Sequence, residues 1–190
     1  MKRIVLASAS PRRREYLSLL GYDYTCMAAD VDESGVRAES PAALSMALAA
    51  LKARAVAKEA GENTIVIGAD TIVVLCDAVL GKPKDDADAH RMLKMLSGKA
   101  HEVYTGLCVI DTLTGTEVRD YRCTKVHMQE ISDEERTAYV ASGESRDKAG
   151  AYAIQGGASK FITHIEGCYF NVLGLPINAL YEILKPMVQE

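Results

Sequence analysis

The sequence predicts an α/β fold built on a mixed sheet, and three observations carry that reading. Strand-like and helix-like segments alternate from one end of the chain to the other. Capping residues, prolines and glycines punctuate the helices where helix starts and stops are expected. Two apolar segments in the middle, 103–110 and 118–128, meet around Thr114-Gly115 as a hairpin, which a purely parallel sheet does not contain.

Each element has its own signal. Residues 4–7 (Ile-Val-Leu-Ala) form a short apolar strand. Ser10-Pro11 then supplies a cap and a first-turn proline for a helix over 11–20, stopped by Gly21. Residues 22–28 read as a second strand. Ser40-Pro41 repeats the cap-plus-proline signature and opens a long Ala-rich helix. Leu44, Leu48, Leu51 and Ala55 recur in it at helical spacing, which predicts that this face meets the core. Residues 64–75 form a long apolar strand, followed by a turn at Cys76-Asp77. A helix over 86–96 presents Met92, Leu93 and Leu96 and stops at Gly98. Ser132 with Glu135 makes a capping box for a helix ending near Gly143. The Gly-rich stretch 150–158 leads to a strand over 161–165, and a final helix covers 176–184.

The chain has 190 residues, enough for one core-bearing domain over 1–190 or for two lobes that share a cleft. No apolar run approaches the roughly 20 residues of a membrane helix, and residues 4–7 are too few for a secretory leader. Five scattered cysteines without CxxC spacing favour a reducing, cytoplasmic setting over a disulfide framework or a zinc site. A net charge of −4 argues against duplex nucleic acid as the main partner. The four histidines (His90, His101, His127, His164) show no HxxxH spacing, so a histidine metal centre has no local support.

The clearest chemistry lies in Leu6-Ala7-Ser8-Ala9-Ser10-Pro11-Arg12-Arg13-Arg14. Unpaired N–H groups and a positive dipole mark the start of a helix, where carboxylates belong and three arginines do not. A bound anion offsets that mismatch, and the planar guanidinium suits phosphate. A solvated basic turn, or a contact for nucleic acid, is the competing reading. Neither GxxxxGK[ST] nor GxGxxG is present, which excludes the common phosphate and dinucleotide loops.

Asp70 interrupts the apolar run 64–75, and a buried carboxylate needs a partner or a cation. Gly68 and Ala69 before it leave room for a ligand or for another backbone. The acidic loop Asp30-Val31-Asp32-Glu33-Ser34-Gly35 is not a calcium loop, because the twelfth position is Pro41. It is a solvated loop unless the fold brings it beside Asp70, where the inventory would suit magnesium. Lys52 breaks the Ala/Leu pattern of the long helix, and Lys82 follows a glycine turn. In 147–157 (Asp-Lys-Ala-Gly-Ala-Tyr-Ala-Ile-Gln-Gly-Gly), Gln155 offers a donor and an acceptor that match the edge of a uracil or thymine ring.

With Ser8–Arg13, Gly68–Thr71, Gly81–Pro83, 147–156 and 167–176 in view, the chain resembles Maf-type nucleotide pyrophosphatases over nearly its whole length. That resemblance implies the fold shared with inosine triphosphatases: an elongated mixed sheet, flanking helices, and two lobes around a central cleft. It implies a nucleoside triphosphate substrate, dTTP or UTP, cut to the monophosphate and pyrophosphate. Asp70 falls on the proton acceptor of the dTTP/UTP branch, and Arg12, Thr71 and Gln155 on its specificity positions. Ser8, Arg13, Glu33, Lys52 and Lys82 match positions lining the phosphate and metal region, with Asp70 and Glu33 as metal ligands. The resemblance further implies a divalent cation (Mg²⁺ or Mn²⁺) and a homodimer. Ala153 stands where a glycine is usual, and a positive φ there would displace Gln155; Cys168 and Met128 are the other departures. The rival within the family is a branch acting on a methylated guanine triphosphate. The rival outside it is a regulatory protein that binds nucleic acid through the triple arginine.

Overall fold

The computed structural model describes residues 2–189; Met1 and Glu190 lie outside it. Seven strands form one mixed sheet: β1 (Arg3–Leu6), β2 (Tyr24–Cys26), β3 (Thr64–Leu75), β4 (Ala78–Leu80), β5 (Ala100–Asp111), β6 (Glu117–Met128) and β7 (Ile162–Glu166). The strand order is β2-β1-β3-β5-β6-β7, with β4 paired to β3 off that path. β1 is parallel to β2 and β3, whereas β3–β4 and β6–β7 are antiparallel. The helices are α1 (Pro11–Ser18), α2 (Pro41–Ala57), α3 (Asp86–Leu96), α4 (Asp133–Ala141), α5 (Tyr169–Val172) and α6 (Ile177–Gln189). Two short 3₁₀ turns cover Ala149–Ala151 and Gly157–Phe161. The mixed sheet with flanking helices is the predicted class.

The chain divides into two compact units. The first holds residues 1–70, 105–122 and 174–190, and the second holds 71–104 and 123–173.

In the first unit the parallel register pairs Leu6 with Ile67. The chain therefore leaves β1 through Ser8 and continues β3 to Asp70 past the same end of the sheet. α2 packs across β3 and β5 unusually closely. A Cβ on Gly68 would collide with the Ala49 carbonyl oxygen and lie 2.9 Å from the Ala53 Cβ. A Cβ on Gly106 of β5 would run into the Ser45 backbone. Backbone approach of this kind needs small residues on both sides, and α2 supplies them: its buried face is Ser45, Leu48, Ala49, Ala50, Ala53 and Val56. This corrects the predicted face. Leu44, Leu51 and Ala55 are only half-buried, because the helix turns its Ala stripe rather than its Leu stripe to the sheet.

α6 runs to Gln189, past the predicted end at 184, with Pro186 inside it. The proline forfeits one intrahelical bond near the helix end. Buried Leu184 and Met187 flank it, and the Lys2 ammonium donates to the Met187 carbonyl at 3.1 Å, so the last turn stays in place.

The second unit centres on Val73, Leu75, Leu93, Leu96, Val126 and Phe161 with their neighbours. Strand β4 escaped the sequence reading because it has only three residues. The turn before it was legible: Cys76 (φ 48°) and Asp77 (φ 66°) make the two-residue, left-handed connection that a tight hairpin requires. The capping box of α4 forms as expected, with Ser132 Oγ accepting from the Glu135 N–H and Glu135 accepting from the Ser132 N–H.

Candidate active site

At the start of α1, Ser10 caps the helix by accepting from the Arg13 N–H, and buried Ser8 accepts from the Ser10 N–H at 3.1 Å. The helix mouth carries no acidic side chain in its first turn. The three arginines part company. Arg13 turns inward, and its Nε–H donates to the Gly174 carbonyl at 2.8 Å. Burial pulls its pKa down; the carboxylates of Asp70 and Glu33 push the other way, and the neighbouring charge of Arg12 adds to the lowering. An arginine nonetheless keeps its proton at neutral pH, so a half-buried cation sits at this mouth. Arg14 instead borders a shallow depression with Tyr22, Asp23, Tyr24 and Cys26.

Across from these arginines, Lys52 of α2 bridges two carboxylates. Its ammonium pairs with Asp70 Oδ1 and, at 2.9 Å, with Glu33 Oε1. The Asp70 side chain is 11% exposed and that of Glu33 44%, so Asp70 is the enclosed member and Glu33 the open one. The close seat of α2 on Gly68 explains how a lysine on a helix reaches a strand residue two positions further on. The Asp30–Gly35 loop is thus more than a solvated turn, because Glu33 converges with Asp70 on one positive charge. An Asx turn shapes it, with Asp32 Oδ1 accepting from the Ser34 N–H at 2.9 Å. Ser8, Arg12, Arg13, Glu33, Lys52 and Asp70 therefore all belong to the first unit, and Arg13, Glu33, Lys52 and Asp70 interact directly or electrostatically.

Thr71, Lys82 and Gln155 belong to the second unit. Thr71 is half-buried on β3, while Lys82 and Gln155 are exposed. The Lys82 turn and the glycine-rich stretch meet, since the Gly150 N–H donates to the Gly81 carbonyl at 3.0 Å. Gly150 (φ 70°) lies against Val73, with 3.0 Å left for a Cβ. Around Gln155 the backbone closes a turn, Gly156 N–H to Ala153 carbonyl, and both flanks are anchored. The Ala153 N–H donates to the Tyr139 hydroxyl at 3.1 Å, and the Gly157 N–H donates to Glu144 Oε2 at 2.7 Å. Ala153 is not among the positive-φ residues; Ala151 (φ 60°) is, so replacing the usual glycine at 153 leaves the turn unstrained.

Sequence reasoning missed Gly174, Tyr139 and Glu144. Only Gly174 carried a signal, as part of the 167–176 motif whose remoteness in sequence concealed its role as the backbone acceptor for Arg13.

A family model described as Maf-like protein matches residues 3–187. The chain belongs to the Maf family. Curated relatives within it include a protein of Thermoanaerobacter pseudethanolicus, 51% identical over 96% of this chain and 95% of its own length. Another, from Alkaliphilus metalliredigens, is 48% identical over 97% of this chain and 95% of its own. A third, from Bacillus cereus, is 47% identical over 97% and 90%. Each of the three is named a dTTP/UTP pyrophosphatase. Among solved structures the Ham1 protein of Staphylococcus aureus superposes with a TM-score of 0.56 over 98% of this chain and all of its own, at 18% identity. That likeness shows the fold, an open mixed sheet of the same kind. No helix among the described residues is long and apolar enough to cross a membrane.

Proposed function

We infer that this Maf protein hydrolyses dTTP and UTP to the monophosphate and pyrophosphate, and that Asp70 is its proton acceptor. The observation carrying the assignment is the convergence of Asp70, Glu33, Lys52 and Arg13: two carboxylates and two cations at the start of one helix. Relatives of near-equal length and about half-identical sequence bear the matching name.

The residues divide the work by charge. Arg12 and Arg13 at the positive end of α1 hold the phosphates, with Ser8 at the strand exit. Lys52 engages Oδ1 of Asp70 and leaves Oδ2 to take a proton. A water molecule polarised by Oδ2 attacks the α-phosphorus; the new P–O bond forms as the bridging bond to the β-phosphate breaks, and pyrophosphate leaves. The proton released by the water passes to Asp70. Two carboxylate oxygens already within reach of one ammonium are hard donors in the number that magnesium or manganese takes from a protein, so Asp70 and Glu33 fit such an ion. When bound, it would neutralise phosphate oxygens as charge builds on them.

In the second unit, Gln155, on a turn pinned at both flanks, and Thr71 are specificity residues in this reading, and Lys82 is a phosphate-binding residue. The five thiols are all free, which suits the cytoplasm, and the assembly is a homodimer in this reading. The net charge of −4 leaves nucleic acid as a poor partner.

A panel of nucleoside triphosphates incubated with Mg²⁺ tests the function. dTTP and UTP are expected to give monophosphate plus pyrophosphate faster than purine nucleotides do. Diphosphate plus orthophosphate would reject the bond assignment, and a methylated guanine nucleotide as best substrate would reject the base assignment.

A further inference from the structure

His127 on β6 and His164 on β7 stand directly opposite each other in the antiparallel register, and Glu166 lies two residues along on the same face of β7. One nitrogen from each imidazole and one carboxylate oxygen all fall within 4.8 Å of one another. Among the described residues this is the single group of three or more His, Cys, Asp or Glu side chains so arranged. The rings stack at 3.9 Å between centroids and 16° between planes. His127 Nε2 meets Glu166 Oε1 at 2.6 Å, while His164 Nε2 stops at 3.9 Å from the same oxygen.

The tautomer of His164 follows from its neighbour. The Thr163 hydroxyl donates its proton to the His127 carbonyl at 3.2 Å, so at 3.4 Å from His164 Nδ1 it acts as the acceptor. That places the His164 proton on Nδ1 and leaves the Nε2 lone pair pointing at the carboxylate. An imidazole whose far nitrogen is held by a hydrogen bond is how metal-ligating histidines are oriented. We propose that the β6–β7 edge of the second unit binds a divalent transition metal of the zinc class through His127 Nε2, His164 Nε2 and Glu166.

Two nitrogens and one carboxylate select zinc, cobalt or nickel over magnesium, so this site is chemically distinct from an all-oxygen one. Ligand distances of about 2.0–2.1 Å require the three groups to close in, which rotation of the exposed His164 and Glu166 side chains towards half-buried His127 supplies. The ion would displace the proton shared by His127 and Glu166 and clip edge strand β7 to β6. Lys125, paired in register with Glu166, opposes it with a like charge.

Cobalt(II) is the probe. Titrated into the full-length protein, it is expected to give visible bands of nitrogen–oxygen ligation saturating at one equivalent, and to raise the melting temperature. His164→Ala and His127→Ala should each weaken binding at least about tenfold. Lys125→Ala should tighten it, an effect no unfolding artefact produces. Circular dichroism without metal checks that the variants fold. Absence of bands, an unchanged titration in both histidine variants, or thiolate charge-transfer bands that put the ion on cysteine would each overturn the site.

Discussion

Gly68 of β3 and Ala49 of α2 touch through their backbones: the Ala49 carbonyl occupies the space a Cβ on Gly68 would need. Helix and strand are thereby locked at a separation that delivers Lys52 to Asp70. Gly68→Ala is expected to force α2 outward and destabilise the protein by about 1–3 kcal/mol, the usual range for overpacking. It should also lower turnover, because the ammonium withdraws from the carboxylate. Thermal unfolding and steady-state kinetics on the same variant measure both effects, and an unperturbed melting temperature would refute the close packing.

With Gln155 as the proposed base contact, base selection would depend on how firmly its turn is held. Glu144 is exposed, yet its carboxylate accepts from the Gly157 N–H at 2.7 Å beside that turn. Glu144→Ala should loosen the turn and reduce discrimination between dTTP and purine triphosphates roughly fivefold, the equivalent of one hydrogen bond worth about 1 kcal/mol. The ratio of kcat/KM values reads it directly. Gln155→Ala should have the larger effect, and equal discrimination in all three proteins would separate Gln155 from the base.

Acid sensitivity has a identifiable source in the second unit. His101 is buried, its Nε2 lies 2.7 Å from the Tyr152 hydroxyl, and Nδ1 has no partner. Burial, with a smaller push from the charge of His127, takes its pKa from 6.5 down to about 4. Between those two values the unfolded chain binds a proton that the folded protein refuses. Stability is therefore whole above pH 6.5 and falls as the pH drops towards 4, by a total of about 3 kcal/mol. His101→Gln should flatten this limb in denaturant titrations across that range. A wild-type profile with no slope there would place the buried proton elsewhere.

Elements with periodic or capped signals were legible in the sequence. Strand β3 and helix α3 fall on their predicted bounds, and the Ser132–Glu135 capping box forms with both its hydrogen bonds. Other features follow from tertiary contact, which a linear pattern does not encode. The Ala face of α2 is inward because Gly68 and Gly106 admit it, although the Leu spacing pointed elsewhere. Glu33 looked like any acidic loop residue until Lys52 drew it beside Asp70. His127 and His164 had no motif spacing, since neighbouring strands, not a helical turn, bring them together. Gly174 and Arg13 meet although they stand 161 positions apart in the chain.

Asp70 is the proposed proton acceptor. Single-turnover hydrolysis of dTTP by Asp70→Asn, compared with the parent protein at saturating Mg²⁺, tests this most directly. The substitution keeps the shape and an oxygen for Lys52 while removing the base, so the rate is expected to fall at least about 10²-fold. A rate within a few-fold of the parent would contradict it.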